Sequence, residues 1–162
     1  EKPPPDVLCL QEVLAGSNLI TELGYRCVIS SSSKSAALKD MAYGQMADEA
    51  FKDQAIVNEI YINTEKADWE VVETGIERIS SPDVHVTPVN ASKKPLAVRT
   101  VAWAKLRSHG QSSGPFAWVF NCQLTGGLIE DTFFVMQLTD ERKKQMERLV
   151  RLFESKAEIG DV

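Results

Sequence analysis

The sequence predicts an α/β fold: part of a two-sheet α/β sandwich, mixed and largely antiparallel with flanking helices, that reads as incomplete. Three observations carry that expectation. Val7–Leu10 is a short run with no polar face, which suits a strand buried on both sides. Two later pairs of β-rich runs, Ala55–Asn63 with Val71–Ile79 and Val98–Leu106 with Phe116–Leu124, suit hairpins. One long stretch with helical spacing, Asp140–Ser155, follows most of the strands.

In chain order, the first strand ends abruptly on Gln11-Glu12. Ser17 caps a helix that runs to Gly24, with Leu19, Ile20 and Leu23 on one face. Tyr25–Ile29 then closes a strand–helix–strand unit. Residues 30–54 mix Ser, small and charged residues without a period and read as a long mobile excursion. Thr64–Asp68 joins the next two strands as a hairpin loop, and Gly75 reads as a bulge or bend. Pro82–Pro95 is proline-rich connecting loop. Val98, Thr100, Ala102, Ala104 and Leu106 alternate onto one face, and Gly110–Pro115 turns the chain into the last strand. In the final helix, Met146, Leu149, Val150 and Phe153 make the apolar face. Asp140 and Glu141 occupy its first turn, where the dipole favours acids, and Glu147 can pair with Arg151. No repeat or linker divides the chain, so residues 1–162 read as a single partial domain.

Composition narrows the function classes. With 162 residues, 43% of them hydrophobic, the chain can bury one real core. No apolar run approaches the roughly eighteen residues of a membrane span. EKPPPD carries no leader pattern and no initiator Met, so the chain reads as a processed or excised piece. Lys plus Arg number 18 against 23 Asp plus Glu, a net charge of -5 that argues against a general nucleic-acid binder. It leaves room for a site that meets phosphate through a bound cation. Cys9, Cys27 and Cys122 are an odd number at no metal-like spacing. They read as buried free thiols, which fits a reducing intracellular compartment.

Two stretches could carry chemistry. Glu12, at the C-terminal end of a buried strand, stands at a sheet rim where clefts form, and suits a hard cation such as magnesium. It equally suits an exposed first-turn residue of the next helix. Asn121-Cys122-Gln123-Leu124-Thr125-Gly126-Gly127 ends another apolar strand with polar amides and two glycines. That pattern suits close approach of backbone to a ligand, or an ordinary strand-ending turn. His85 and His109 have no carboxylate or cysteine at a meaningful spacing, and Arg142-Lys143-Lys144 reads as a solvated helix face. Trp69, Trp103 and Trp118 read as core residues rather than base-stacking platforms.

PDVLCLQEV, AIVNEIYINTEKADWEVVETG, RTVAWAKL, FAWVFNCQLTGG and ERKKQMERLVRLF, in that order, resemble the endonuclease/exonuclease/phosphatase family of metal-dependent phosphoesterases. The resemblance covers nearly all of Pro5–Phe153. It implies that Glu12 binds the catalytic Mg2+, with Mn2+ as substitute, and that Asn121 and Gln123 lie at the substrate's phosphate. The implied substrate is a phosphate ester of nucleic acid or of a phosphorylated lipid or inositol.

The departures from the family pattern also count. The usual Asn-Thr-His-Leu is Asn121-Cys122-Gln123-Leu124 here, so an amide replaces an imidazole that can carry charge. The first family strand, with its Asn, should precede Glu1. The family's Gly-Asp-x-Asn and terminal Asp-His should follow; Gly160-Asp161 could begin the former but reads as plain loop. The remaining half of the domain, or another chain, is therefore expected to cover the inner sheet face, and the catalytic residues are expected outside this chain. The alternatives are a non-catalytic relative acting as a binding or assembly module, and an unrelated α/β fold with a chance Gln-Glu.

Overall fold

The computed structural model describes residues 3–14, 19–31, 56–66, 69–81, 85–86, 94–95, 99–110, 114–124, 132–158 and 161. The elements are β1 (Val7–Leu14), α1 (Leu19–Glu22), β2 (Tyr25–Ser30), β3 (Ile56–Asn63), β4 (Trp69–Arg78), β5 (His85–Val86), β6 (Lys94–Pro95), β7 (Thr100–Ser108), β8 (Ala117–Cys122) and α2 (Thr132–Lys156). Two three-stranded antiparallel sheets result, ordered β1-β3-β2 and β4-β7-β8, with β5-β6 a separate short ladder. The α/β class expected from the sequence is the class observed. None of the described helices is long and apolar enough to cross a membrane.

The strand positions were legible, but one connection was not. Ala55–Asn63 and Val71–Ile79 do not form a hairpin. β3 is flanked on both sides by β1 and β2, so it offers β4 no free edge, and the chain crosses to the other sheet, where β4 pairs with β7. β7 and β8 do form the expected hairpin, with Trp103 opposite Phe120. At Gly24 a left-handed backbone, φ 82°, ends α1 as expected, and the Gly24 carbonyl then accepts the Thr64 N–H at 2.9 Å. Ser17 and all of the expected excursion beyond Ser31 lie outside the described residues.

The two sheets face each other. Ile29, Ile60 and Ile62 from one meet Ala102, Ala104 and Leu106 from the other, with Val7, Val71, Ile76 and Val119 around them. Small alanines on β7 let the sheets approach, while β-branched isoleucines fill the space between. Each sheet thus covers the other's inner face. The expected cover of an inner sheet face by another half or chain is not needed for these faces; β1 and β8 are the neighbouring edge strands.

On the outer face of the second sheet lies a row of rings. Trp103 is 5.6 Å from Trp118, Trp118 is 6.2 Å from Phe120, and Phe120 is 5.9 Å edge-on to Phe153 of α2. β7 is therefore buried on both faces, not the one face that alternation suggests. Gly75 is not the bulge; β4 bulges between Val71 and Glu73, and Gly75 pairs regularly with Trp103. A Cβ at Gly75 would overlap the Trp103 indole, so the glycine is the floor on which that ring lies. Lys156 stands 3.9 Å from the ring centroid on the helix side.

Helix α2 begins eight residues earlier than the sequence suggests, so Asp140 and Glu141 fall well inside it. Its face also differs. Met146, Val150 and Phe153 are 43%, 47% and 43% exposed, while Leu138, Glu141 and Gln145 are buried. The buried line runs 138, 141, 145, with half-buried Arg148 continuing it at helical spacing, but it carries polar groups. Glu141 accepts both the Ser81 N–H (2.9 Å) and the Ser81 hydroxyl (3.1 Å). Arg148 donates to the Ile79 carbonyl (2.9 Å) and to Ser81 Oγ (3.0 Å). Apolar periodicity could not find this face because hydrogen bonds to the chain after β4 hold it.

Asp161 behaves as a latch. Its carboxylate accepts the N–H groups of Phe116 (3.0 Å) and Glu158 (3.0 Å) and the indole N–H of Trp118 (2.7 Å). These donors, the Glu158 amide first, hold its carboxyl below the ordinary value.

Two outcomes are expected. Gly75→Ala should destabilise the fold by about 1–3 kcal/mol through overpacking against a rigid indole, read from the urea midpoint. A depressed carboxyl stabilises above its unfolded pKa, and that stability is lost as pH falls through the folded one. Wild type should therefore lose stability in acid in a component that Asp161→Asn lacks, followed by tryptophan emission.

Candidate functional site

All strand ends of one sense gather at one rim: the C-terminal ends of β1, β2, β4 and β8 and the N-terminal ends of β3 and β7. At this rim the register of β1 on β3 slips. Leu10 pairs with Glu59, but Val13 pairs with Val57, so Gln11 and Glu12 together oppose one residue. This is a β-bulge, a feature that re-aims side chains at sheet rims. The strand does not stop at the Gln-Glu pair; it bends there and continues to Leu14.

A bulge leaves backbone carbonyls without ladder partners, and Asn121 supplies them. Its Nδ2 donates to the Leu10 carbonyl at 2.7 Å and to the Glu59 carbonyl at 2.9 Å, the pair immediately before the slip. In return Gln11 donates from Nε2 to the Cys122 carbonyl (2.5 Å) and to Asn121 Oδ1 (3.3 Å). Asn is suited to the position because one planar amide offers two donors and an acceptor. At 3% exposure, with its amide nitrogen and oxygen both engaged by the scaffold, Asn121 braces the rim.

Gln123, just past β8, accepts a hydrogen bond from Arg99 Nη1 at 3.2 Å. The backbone of Arg99 is itself fixed: its N–H donates to Ser80 Oγ (3.1 Å), and its carbonyl accepts the N–H groups of Ile79 (2.9 Å) and Ser80 (3.2 Å). Beside the bulge, the buried Glu59 carboxylate accepts the Tyr61 hydroxyl, and burial together with that bond pushes the phenol well above its ordinary value.

Of the sequence-predicted residues, Asn121 and Gln123 stand at this rim with described side chains. Glu12 is in the bulge by its backbone, and its side chain lies outside the described residues. Among the described residues no three His, Cys, Asp or Glu side chains converge as a metal centre would require. Arg99 and the tie between Gln11 and Asn121 were not found by sequence reasoning. No spacing rule marks them, because they are brought together only when the two sheets stack.

The cysteines are free, as expected, but Cys9 and Cys27 are exposed, since both lie on edge strands. The surrounding strand atoms nonetheless push all three thiols up, and the Glu59 carboxylate adds to this at Cys27. No protein-family model, curated protein or solved structure matches the chain.

Replacing Asn121 by Ala orphans two carbonyls at the sheet junction. A loss of about 1–3 kcal/mol for each is expected from denaturant unfolding. Asn121→Asp, which swaps a donor for an acceptor, should be at least as damaging.

Proposed function

We propose that this chain belongs to a Mg2+-dependent phosphoesterase and contributes the first metal ligand, Glu12, and one wall of the phosphate site, with Gln123 on it. The observation that carries the reading is the meeting of two stretches 110 residues apart, Gln11-Glu12 and Asn121-Gln123, through a direct hydrogen bond at one rim. Sequence reasoning had singled out these same two stretches for chemistry. A strand that carries its carboxylate in a bulge at a rim, braced from the opposite sheet, supports a preorganised ligand.

When bound, Mg2+ or Mn2+ supplies Lewis-acid polarisation of the phosphoryl oxygen and stabilises charge on the leaving oxygen. The chain's own residues hold position. Asn121 and Gln11 fix the bulge, and the Arg99–Gln123 pair fixes the neighbouring strand end. The further ligands and the general base would come from the half of the domain that the resemblance implies. The substrate class is a phosphodiester or phosphomonoester of a nucleic acid, lipid or inositol.

Gln123 in place of His favours a second reading, a non-catalytic binding or assembly module. Hydrolysis of bis-p-nitrophenyl phosphate by the full-length protein with Mg2+ separates the two. The phosphoesterase reading expects metal-dependent turnover that falls about a hundredfold or more in Glu12→Gln. Turnover indifferent to Glu12, or none from demonstrably folded protein, would remove it.

A further inference from the structure

Among the described residues, the half-buried arginines Arg78, Arg107 and Arg148 each find two or more oxygen acceptors or a carboxylate, and Arg99 differs from them. Arg107 donates twice to the Glu70 carboxylate, at 3.1 and 2.7 Å. Arg148 binds the Ile79 carbonyl and Ser81, and Arg78 donates to Ser80 Oγ and the Ser81 carbonyl. Arg99 has one acceptor among the described residues, the neutral amide oxygen of Gln123. Its Nε is buried without a partner, and none of the described carboxylates forms an ion pair with it.

Stripping water from one side of a guanidinium without an acceptor is unfavourable, and a bound anion is one way such a group is completed. The chain is acidic overall, net charge -5, so cations have carboxylates to choose from. The Arg99 main chain is fixed by three hydrogen bonds to residues 79 and 80, and the guanidinium itself by Gln123. Arg99 is half-buried, and its Nη1 reaches Gln123, two residues past the Asn121 that bonds Gln11 of the bulge.

We infer that Arg99 is the cation that receives a phosphate-ester oxyanion at this rim, with Gln123 setting the guanidinium's orientation. An arginine fork meets a phosphate oxygen with charge-assisted hydrogen bonds. It also restores at the rim the positive charge that Gln123 cannot carry. The phosphate class of the anion rests on the phosphoesterase reading; the site rests on the geometry of Arg99.

The experiment is titration of the chain with inorganic phosphate in EDTA, following the Arg99 Nε–H resonance by 15N NMR, assigned by its loss in Arg99→Lys. A saturable shift is expected, and binding should weaken about tenfold or more in Arg99→Met. Binding should be partly kept in Arg99→Lys, weakened in Gln123→Leu and unchanged in Lys143→Gln, which alters an exposed charge on α2. No saturable shift in wild type, or equal binding by Arg99→Met, would overturn the assignment, and the wild-type titration decides even if Arg99→Met fails to fold. Because the titration holds no metal, it reads the Arg99 site alone: phosphate binding here, together with no Mg2+-dependent turnover of bis-p-nitrophenyl phosphate by the full-length protein, would sink the phosphoesterase reading and leave the Arg99 site standing. Hydrolysis without an effect of Arg99 on phosphate binding would do the reverse.

Discussion

The amide of Asn121 is the interaction on which the arrangement depends. Below it the two sheets meet through Ile60, Ile62, Ala102 and Ala104, contacts that are favourable but indifferent to small slides. A side-chain amide threaded onto two carbonyls of the opposite sheet is not indifferent. It fixes how far β8 sits along β1 and β3, and so which residues share the rim. The bulge and the amide are mutually required: the slip exposes carbonyls, and the buried Asn would be costly without them.

The same logic recurs between the second sheet and α2. Glu141 accepts the N–H and hydroxyl of Ser81, half-buried Arg148 donates to the Ile79 carbonyl and Ser81 Oγ, and buried Gln145 donates to Glu141 Oε1. Ile79 and Ser81 are next to the Ser80 hydroxyl that receives the Arg99 N–H. Helix position is thus coupled by consecutive hydrogen bonds to the strand end that carries Arg99. Precise geometry is achieved with directional bonds at the rim, and bulk cohesion with apolar contacts beneath it.

This division explains what the sequence revealed. Runs such as Val7–Leu10 and Phe116–Leu124 announce strands because burying them needs apolar residues whatever their neighbours. The β7–β8 hairpin was legible because its turn residues are local. The β3–β4 crossover was not, since it depends on both edges of β3 being occupied by strands distant in sequence. The buried face of α2 was misread because Glu141 looks like a solvent residue until Ser81 stands opposite it, and Gln145 until Glu141 accepts its amide. At the rim, residue types at strand ends pointed to Glu12, Asn121 and Gln123, whereas Arg99 owes its place to Ser80 and Gln123 and has no local signature.

The order of strands in the first sheet has a consequence for how the chain is built. β1 and β2 are the earlier elements, yet each pairs only with β3, which comes last of the three. Neither can acquire its backbone partners until Ile56–Asn63 exists, and closing that sheet means closing long loops. The second sheet contains a local hairpin and so a short route to its first contacts. The rim, which needs Leu10, Glu59 and Asn121 together, is therefore completed only after the most distant segments have met.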